Sequence, residues 1–567
     1  MKRFLFSRVY SNNTFNTLLF AFFFLCQFPS KGQNTVGLLS YTPAESYEGY
    51  NLIFPHNQST VYLLNNCGEI VHTWTDEPNF RPGNIAYLLE DGTLLKGKRD
   101  AIVTDDAIWA GGGGEIVELR DWDNNLLWQF EMNDSLQRLH HDFAVTRTGN
   151  ILMIAWERKT REEAIEAGRD PDSMTEDEIW ADFILEVNPN INEIVWEWHA
   201  WDHLIQDFDS TKNNFGVVAD HPELIDINWD DNDGKADWMH GNALDYNPEF
   251  DQILLCVPNF HEFWVIDHTT TTAQAASNRG GISGRGGNLM YRWGNPAAYK
   301  KGTADDQQLF YPHDTHWVDE FVDFTFPGYN NIALFNNRVG PNYSTANTLV
   351  PSWDMYNWSY LMDDGVFLPN NFEKIFTHPD TTQLFSTGLS SVQILPNGNT
   401  LICSGRFGYS FELTPDDEIV WEYKTPFVRG QAATQGAVLG INDNLTFRLK
   451  RYPIDYIALQ GRDLTAKGWI ELNPNIEFCN QLLTDLEEVE RPSNFNIFPN
   501  PTSQMLTLEW DNRMKVDLRI FNHIGKQMMF IPACYGGRRY LNVADWTPGI
   551  YFVTLDSKQT LKFIVQD

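Results

Sequence analysis

Cysteine is scarce and nowhere clustered. The 567-residue chain has six, and no two stand in a Cys-x-x-Cys pair, which excludes a zinc site built on paired thiolates. Cys26 lies in an apolar N-terminal run, which leaves Cys67, Cys256, Cys403, Cys479 and Cys534, an odd number. Cys256 and Cys403 sit in apolar stretches and read as buried thiols rather than ligands. One disulfide, such as Cys67 with Cys479, is permitted in an oxidising compartment, but spacing does not determine it. Positive charge is short as well: 41 Lys and Arg against 76 Asp and Glu give a net charge of −35. Nucleic acid and anionic membrane surfaces repel such a chain, so neither is expected as a partner. An anionic ligand would need a local cluster of His and Arg. Beyond the N terminus no apolar run is long enough for a transmembrane helix. Long amphipathic helical patterns are few, and short strands carry the pattern instead.

The first residues read as a targeting segment. Lys2, Arg3 and Arg8 precede the apolar run 17–28, which is too short to span a bilayer comfortably and gives way to polar residues near Gln33. This is the layout of a secretory signal peptide over 1–33.

The body of the chain repeats one grammar. Ser391-Val392-Gln393-Ile394, the turn Pro396-Asn397-Gly398-Asn399 and Thr400-Leu401-Ile402-Cys403 spell a hairpin, since Asn-Gly favours the tight turn that matches strand twist. Tyr409-Ser410-Phe411-Glu412-Leu413 and Ile419-Val420-Trp421-Glu422-Tyr423 follow as a second pair. The same four-strand unit recurs from Ile85, His141, Ala243 and, in weaker form, Thr315. Repeated four-stranded units predict an all-β fold, a six-bladed β-propeller over 34–476, with residues 61–64 pairing near 447–459 to close the ring. In that architecture the first strand of each blade lines the axis. His141, His240, His313 and Ser391, at equivalent blade starts, would converge there. A charged linker over 477–493 then leads to a small C-terminal β-sandwich over 494–567.

That last module begins Phe498-Pro499-Asn500-Pro501, continues through Ile524-Gly525-Lys526 and Pro548-Gly549-Ile550-Tyr551, and ends on Leu561-Lys562-Phe563-Ile564-Val565. It resembles the C-terminal sorting domain of type IX secretion cargo of Bacteroidetes. The resemblance implies export to the outer surface or beyond, with the secretion machinery as partner.

The larger domain has its own resemblance. Asp237-Trp238-Met239-His240-Gly241-Asn242, Tyr291-Arg292-Trp293-Gly294-Asn295-Pro296, His313-Asp314-Thr315-His316-Trp317 and Phe335-Asn336-Asn337-Arg338 are together similar to the arylsulfate sulfotransferase family. That family is a six-bladed propeller that moves a sulfuryl group between phenols without a nucleotide donor, through a sulfated histidine. The resemblance implies a small aromatic sulfate or phenol as ligand. It gives His240 and Asn242 sulfuryl contact and orientation, His313 acid or base work, and Arg338 charge for the sulfuryl oxygens or the leaving phenolate. His141, His316, Asn337, Arg406 and Tyr409 are further pocket candidates. The chain departs from the family in two places. Arg338 is displaced from the expected arginine, and Gly405-Arg406-Phe407-Gly408-Tyr409 holds no histidine where the family places its nucleophile. Another residue, such as His316 or His141, then carries the sulfuryl group, or transfer is direct, or the reaction differs.

The residue types suit the chemistry. Sulfuryl transfer spreads negative charge over three oxygens and needs fixed donors, while an imidazole serves as base, acid or nucleophile near neutral pH. Metal binding is less well supported. Strand alternation turns His313 and His316 to opposite faces. Residues 226–234 have the composition of a calcium loop, with Asp230, Asp231 and Asp233, yet EF-hand spacing puts Trp229 at the first ligand position. No cofactor is expected, with calcium near those aspartates as the one exception. The leading expectation is a secreted arylsulfotransferase-like enzyme. The alternative is a non-catalytic ligand-binding or adhesion propeller at the cell surface.

Overall fold

The computed structural model describes residues 34–103, 106–484, 495–510, 516–523, 526–534, 538–544, 546–555 and 559–566. The expected signal peptide and most of the expected linker lie outside them. The chain divides into two units, Met1–Asn475 and Ile476–Asp567.

In the first unit, six antiparallel sheets of four or five strands follow one another. Their first strands are Phe80–Leu88, Gln137–Val145, Ala243–Asn247, Pro312–Trp317, Ser391–Ile394 and Thr446–Pro453. Each sits at the edge of its own sheet and neighbours the first strand of the next sheet. The hairpin expected at Pro396-Asn397-Gly398-Asn399 forms, joining Ser391–Ile394 to Thr400–Ser404, and Gly398 takes φ 88° at its turn, a region that favours glycine.

Chain closure differs from expectation by one strand. Gly49–Pro55, not the stretch around Val61, pairs with Thr446–Pro453, while Thr60–Asn65 pairs with Gly49–Pro55. Gly37–Tyr41 adds a fifth strand beside Ile419–Lys424. Two sheets therefore each combine N-terminal with C-terminal strands.

Side chains on the first strands tie each sheet to its successor. Asp142 accepts the Tyr87 hydroxyl at 2.9 Å and the Leu244 amide at 3.0 Å. Asp245 accepts the Trp317 amide at 2.7 Å, and Asp314 the Val392 amide at 2.9 Å. Ser391 and Gln393 accept the Leu449 and Arg451 amides. Tyr452 accepts the Leu88 amide at 2.9 Å, which returns to the first sheet. Backbone amides without a strand partner would otherwise be stranded in the interior, each at a cost of about 1–3 kcal/mol. Between sheets the packing is apolar and aromatic, with Trp156, Trp198, Trp264 and Trp421 almost fully buried.

Cys67 and Cys479 each take part in a disulfide. Cys256 and Cys403 are free and buried, and burial pushes both thiols up to about 12. Residues 478–484, expected as linker, form the short helix Phe478–Thr484.

The second unit has a three-stranded sheet, Asn496–Phe498, Met505–Glu509 and Arg538–Asn542, and a four-stranded one, Gln527–Cys534, Val516–Asn522, Gly549–Leu555 and Gln559–Val565. Leu506, Leu508, Leu518, Ile520, Val553 and Phe563 form its core. Among the described residues no helix is long and apolar enough to cross a membrane.

Candidate active site

Three histidines meet where the second, third and fourth sheets abut. The His141 and His240 ring centroids are 4.7 Å apart, and His313 shares Phe447 with His141, at 6.4 and 6.1 Å. Backbone irregularities aim them. In Gln137–Val145 and Pro312–Trp317 the pairing register slips, at His141-Asp142 and Asp314-Thr315, so one strand carries extra residues and re-aims its side chains. His141, His240, Tyr311 and Asp314 all have φ between 52° and 60°, a left-handed conformation that costs a non-glycine residue about 1–2 kcal/mol. Such strain persists where surrounding structure over-determines it, and it gathers at functional sites.

The local sequence explains His240. Trp238 and Met239 enter the core of the second and third sheets, with the Trp238 Nε1–H on the Trp229 carbonyl at 2.8 Å. Gly241 donates its amide to Asp182 at 2.6 Å, and a Cβ there would lie 2.5 Å from the same carboxylate oxygen. Pinned on both sides, His240 turns back so that Nδ1 lies 2.6 Å from the Asp237 carboxylate. A neutral imidazole with its Nδ1–H on a carboxylate carries its lone pair on Nε2. His240 is also the accessible member, with 13 % of its side chain exposed, against 4 % for His141 and 3 % for His313.

Electrostatics separates the three. Burial alone would lower His240, but the Asp237 carboxylate outweighs it and the pKa is raised above 6.5. His141 and His313 are held well below 6.5 by burial and by the neighbouring His240 charge. Both are therefore neutral at neutral pH. Asn337 Nδ2 donates to the Tyr311 carbonyl at 2.9 Å and contacts His313 Nδ1 at 2.6 Å. With Nδ1 accepting, neutral His313 presents Nε2–H as a donor.

His141 is enclosed. Its Nδ1 meets His140 Nδ1 at 2.9 Å, and a Cβ on Gly112 would fall 1.9 Å from its Nε2, so only glycine fits there. His140 in turn faces Asp182 at 3.4 Å.

Asn242 is fully buried and donates to the Pro312 carbonyl at 2.9 Å. It thereby fixes the start of the strand that carries His313. Arg338 lies flat on Tyr311, 3.7 Å from the ring centroid, and Tyr311 is 6.3 Å from His240. Arg406 borders the same space, since a Cβ on Gly388 would lie 3.5 Å from Arg406 Nη2 and 3.9 Å from His313 Cε1. The structure thus gathers His141, His240, His313, Asn242, Asn337, Arg338 and Arg406.

Two candidates lie elsewhere. His316 lines a cavity of about 720 Å³ together with Asp245, Asp319 and Glu320. Tyr409 donates to Glu422 at 2.6 Å and meets His378. Among the candidate calcium ligands, Asp231 accepts His261 Nε2 at 2.7 Å, Asp230 accepts the Gly234 amide at 2.7 Å and Asp233 is exposed. Among the described residues no group of three or more His, Cys, Asp or Glu is arranged to hold a metal.

Four further residues contribute to the site. Asp237 and Tyr311 were in quoted or adjacent segments, but their roles depend on backbone turns. Arg448 bridges Asp142 at 2.7 Å and Asp314 at 2.8 Å beneath the histidines, and no motif marks it. Asp142 had a signal in the repeat itself, since an aspartate follows His141, Leu244 and His313 alike.

Residues 56–436 match the arylsulfotransferase (ASST) family, two thirds of the chain. The chain belongs to this family. Its arylsulfotransferase domain contains the whole histidine and arginine cluster except Phe447 and Arg448. Residues 496–566 match the secretion system C-terminal sorting domain, which marks the protein for secretion or cell-surface targeting and for contact with the secretion machinery. No protein with a curated description matches the chain. Similar solved structures include a protein of unknown function from Bacteroides caccae, at 10 % identity over 72 % of this chain and 99 % of that one, TM-score 0.38. The Dos1 propeller is 10 % identical over 89 % and 94 %, TM-score 0.30. Virginiamycin B lyase from Staphylococcus aureus is 8 % identical over 74 % and 99 %, TM-score 0.31. At these values the structures carry no weight for activity.

Proposed function

We propose that the protein transfers a sulfuryl group from an aryl sulfate to a phenolic acceptor, without a nucleotide sulfate donor, and that His240 Nε2 is the atom that carries the group. The six sheets are six blades of one closed propeller, a reading supported by the unbroken series of bonds from each first strand to the next. The observation that carries the activity is the His240–Asp237 pair, the accessible, carboxylate-oriented imidazole of the cluster.

Attack by Nε2 on the donor sulfur forms an N–S bond and breaks the S–O bond to the donor phenolate, which takes a proton from solvent. The acceptor phenol then attacks the same sulfur, the N–S bond breaks, the acceptor proton passes to solvent and neutral His240 is restored. Asp237 stabilises the positive ring of the sulfated histidine. Arg338, Arg406 and His313 Nε2–H supply fixed positive charge and a donor for the sulfuryl oxygens as charge builds on them. Asn242 and Asn337 hold His313 in place.

The reaction needs neutral His240, whose pKa is raised above 6.5. Donor kcat/KM therefore rises with pH, with a midpoint above 6.5. Asp237→Asn removes the group that outweighs burial, so the midpoint moves downward and the maximal rate drops about 10²–10⁴-fold. A pH–rate series on the full-length protein with an aryl sulfate and a phenol checks this. A midpoint unmoved by Asp237→Asn sinks the assigned role. Absence of any transfer sinks the activity, and binding of the aryl sulfate without turnover then leaves a ligand-binding propeller. The stretch Gly405-Arg406-Phe407-Gly408-Tyr409 after Thr400–Ser404, which holds no histidine, favours that second reading.

Export follows the type IX route, with the C-terminal unit removed or used for surface attachment.

A further inference from the structure

Three arginines around the histidine cluster make no ion pair among the described residues, in a chain with 76 acidic side chains. They are Arg99, Arg338 and Arg406. Arg338 has its Nε–H on the Thr387 carbonyl at 3.0 Å, and Arg406 one bond to Asn442 at 3.0 Å. Arg99 lies over Trp109, 4.8 Å from the ring centroid, and Arg138 lies over the same ring at 4.9 Å. Arg138 is paired with Asp106 at 2.7 Å, whereas Arg99 feels Asp106 and Glu115 only from beyond ion-pair distance.

These groups form a rim that can be followed around the site. Trp109 packs on Gly113, where a Cβ would meet its ring at 2.8 Å, and the adjacent Gly112 sits on His141. His141 touches His240, and His240 faces Tyr311 and Arg338. Arg338 and Arg406 repel one another, lowering the Arg406 pKa after burial does so. Beyond Arg406 stands His56, lowered to about 4 by burial, then by Arg99 and Arg406. Arg99 and Trp109 close the circuit. Trp109 is 45 % exposed, an unusual position for so large a ring, and its exposed part stands beside a guanidinium that makes no ion pair among the described residues.

A single sulfuryl group engages Arg338 and Arg406 next to His240. Arg99, on the far side of His56, has no part in that. We infer that Arg99 and Trp109 form an outer subsite for a second acidic group and its aromatic ring, so that the preferred ligands are aryl sulfates or phenols bearing a further carboxylate or sulfate. Trp109 packs against the ligand ring, Arg99 pairs the second anion, and the three arginines without an ion pair, Arg99, Arg338 and Arg406, make the selection electrostatic. The inference rests on the sulfuryl-transfer reading for the chemistry at His240, but not for the subsite itself.

The test compares para-carboxyphenyl sulfate with its methyl ester, two donors of matched shape that differ in one charge, on the full-length protein. The carboxylate is expected to be preferred about tenfold or more in kcat/KM, mostly through KM. Arg99→Gln collapses that ratio towards unity, Arg99→Lys keeps part of it, and Trp109→Ala weakens both donors through KM. Equal use of the two donors by the unaltered protein, or a ratio unchanged in Arg99→Gln, overturns the subsite. If neither donor is turned over, the transfer reading fails on its own, and calorimetric binding of the same two compounds decides the subsite. Tighter binding of the carboxylate, lost in Arg99→Gln, supports it; equal binding overturns it.

Discussion

Arg448→Met is expected to destabilise the propeller-like unit by about 3–5 kcal/mol. The Arg448 side chain is 8 % exposed and joins Asp142 and Asp314, themselves 0 % and 10 % exposed. It also meets the Tyr87 hydroxyl at 2.5 Å and the Asn242 carbonyl at 3.3 Å. Removing the cation leaves two carboxylates close together in the interior without a counter-charge. Each carboxylate also bonds a backbone amide of the following sheet, so their repulsion acts on the ties between sheets. Denaturant unfolding reads the effect as a lower midpoint at similar slope. The double variant Arg448→Met/Asp142→Asn is expected to lose less than the sum of its parts, because the second change relieves the charge stranded by the first. Strict additivity would show that the pair is not coupled.

The second large effect is on activity. His240→Ala is expected to lower donor kcat/KM by at least about 10²–10⁴-fold while leaving the unfolding midpoint nearly unchanged. Partial exposure is the reason for the second half: the side chain fills no sealed core space, and its partner Asp237 is itself 14 % exposed. His141→Ala contrasts with it. That ring is fully enclosed between His140 and Gly112, so its loss opens a cavity and lowers stability together with rate. Comparing the two variants by rate and by unfolding separates the group that reacts from the one that supports it.

Much of the fold was legible because its signals are local. The turn Pro396-Asn397-Gly398-Asn399 and the alternation on either side predict a hairpin whatever surrounds it. The closing strand was misplaced by one because Gly49–Pro55 and Thr446–Pro453 are about 400 residues apart, and no local pattern records such a pairing. Convergence of His141, His240 and His313 followed from their place in the repeat. The orientation of His240 did not, since it depends on φ 60° at a residue held between Trp238 and Gly241.

His316 shows the limit of strand alternation. Alternation sets His313 and His316 on opposite faces, but the register slips at Asp314-Thr315 between them, so their separation is one of position along the strand. The structure puts His316 with Asp245 on the cavity lined by Asp319 and Glu320. Tyr409 leaves the site for a similar reason: Gly408 turns at φ 50° and sends the ring to His378 and Glu422. Arg448 was invisible because a basic residue in a strand ordinarily reads as surface, and only three-dimensional pairing with two repeat-encoded aspartates explains its burial.

The most direct measurement is mass spectrometry of the full-length protein after brief exposure to an activated aryl sulfate, with phenol release followed in parallel. The account predicts one sulfuryl adduct on His240, formed with phenol release, discharged on adding a phenol and absent from His240→Ala. Phenol release with no adduct on trapping, or an adduct on His141, His316 or another side chain, would contradict His240 as the carrier.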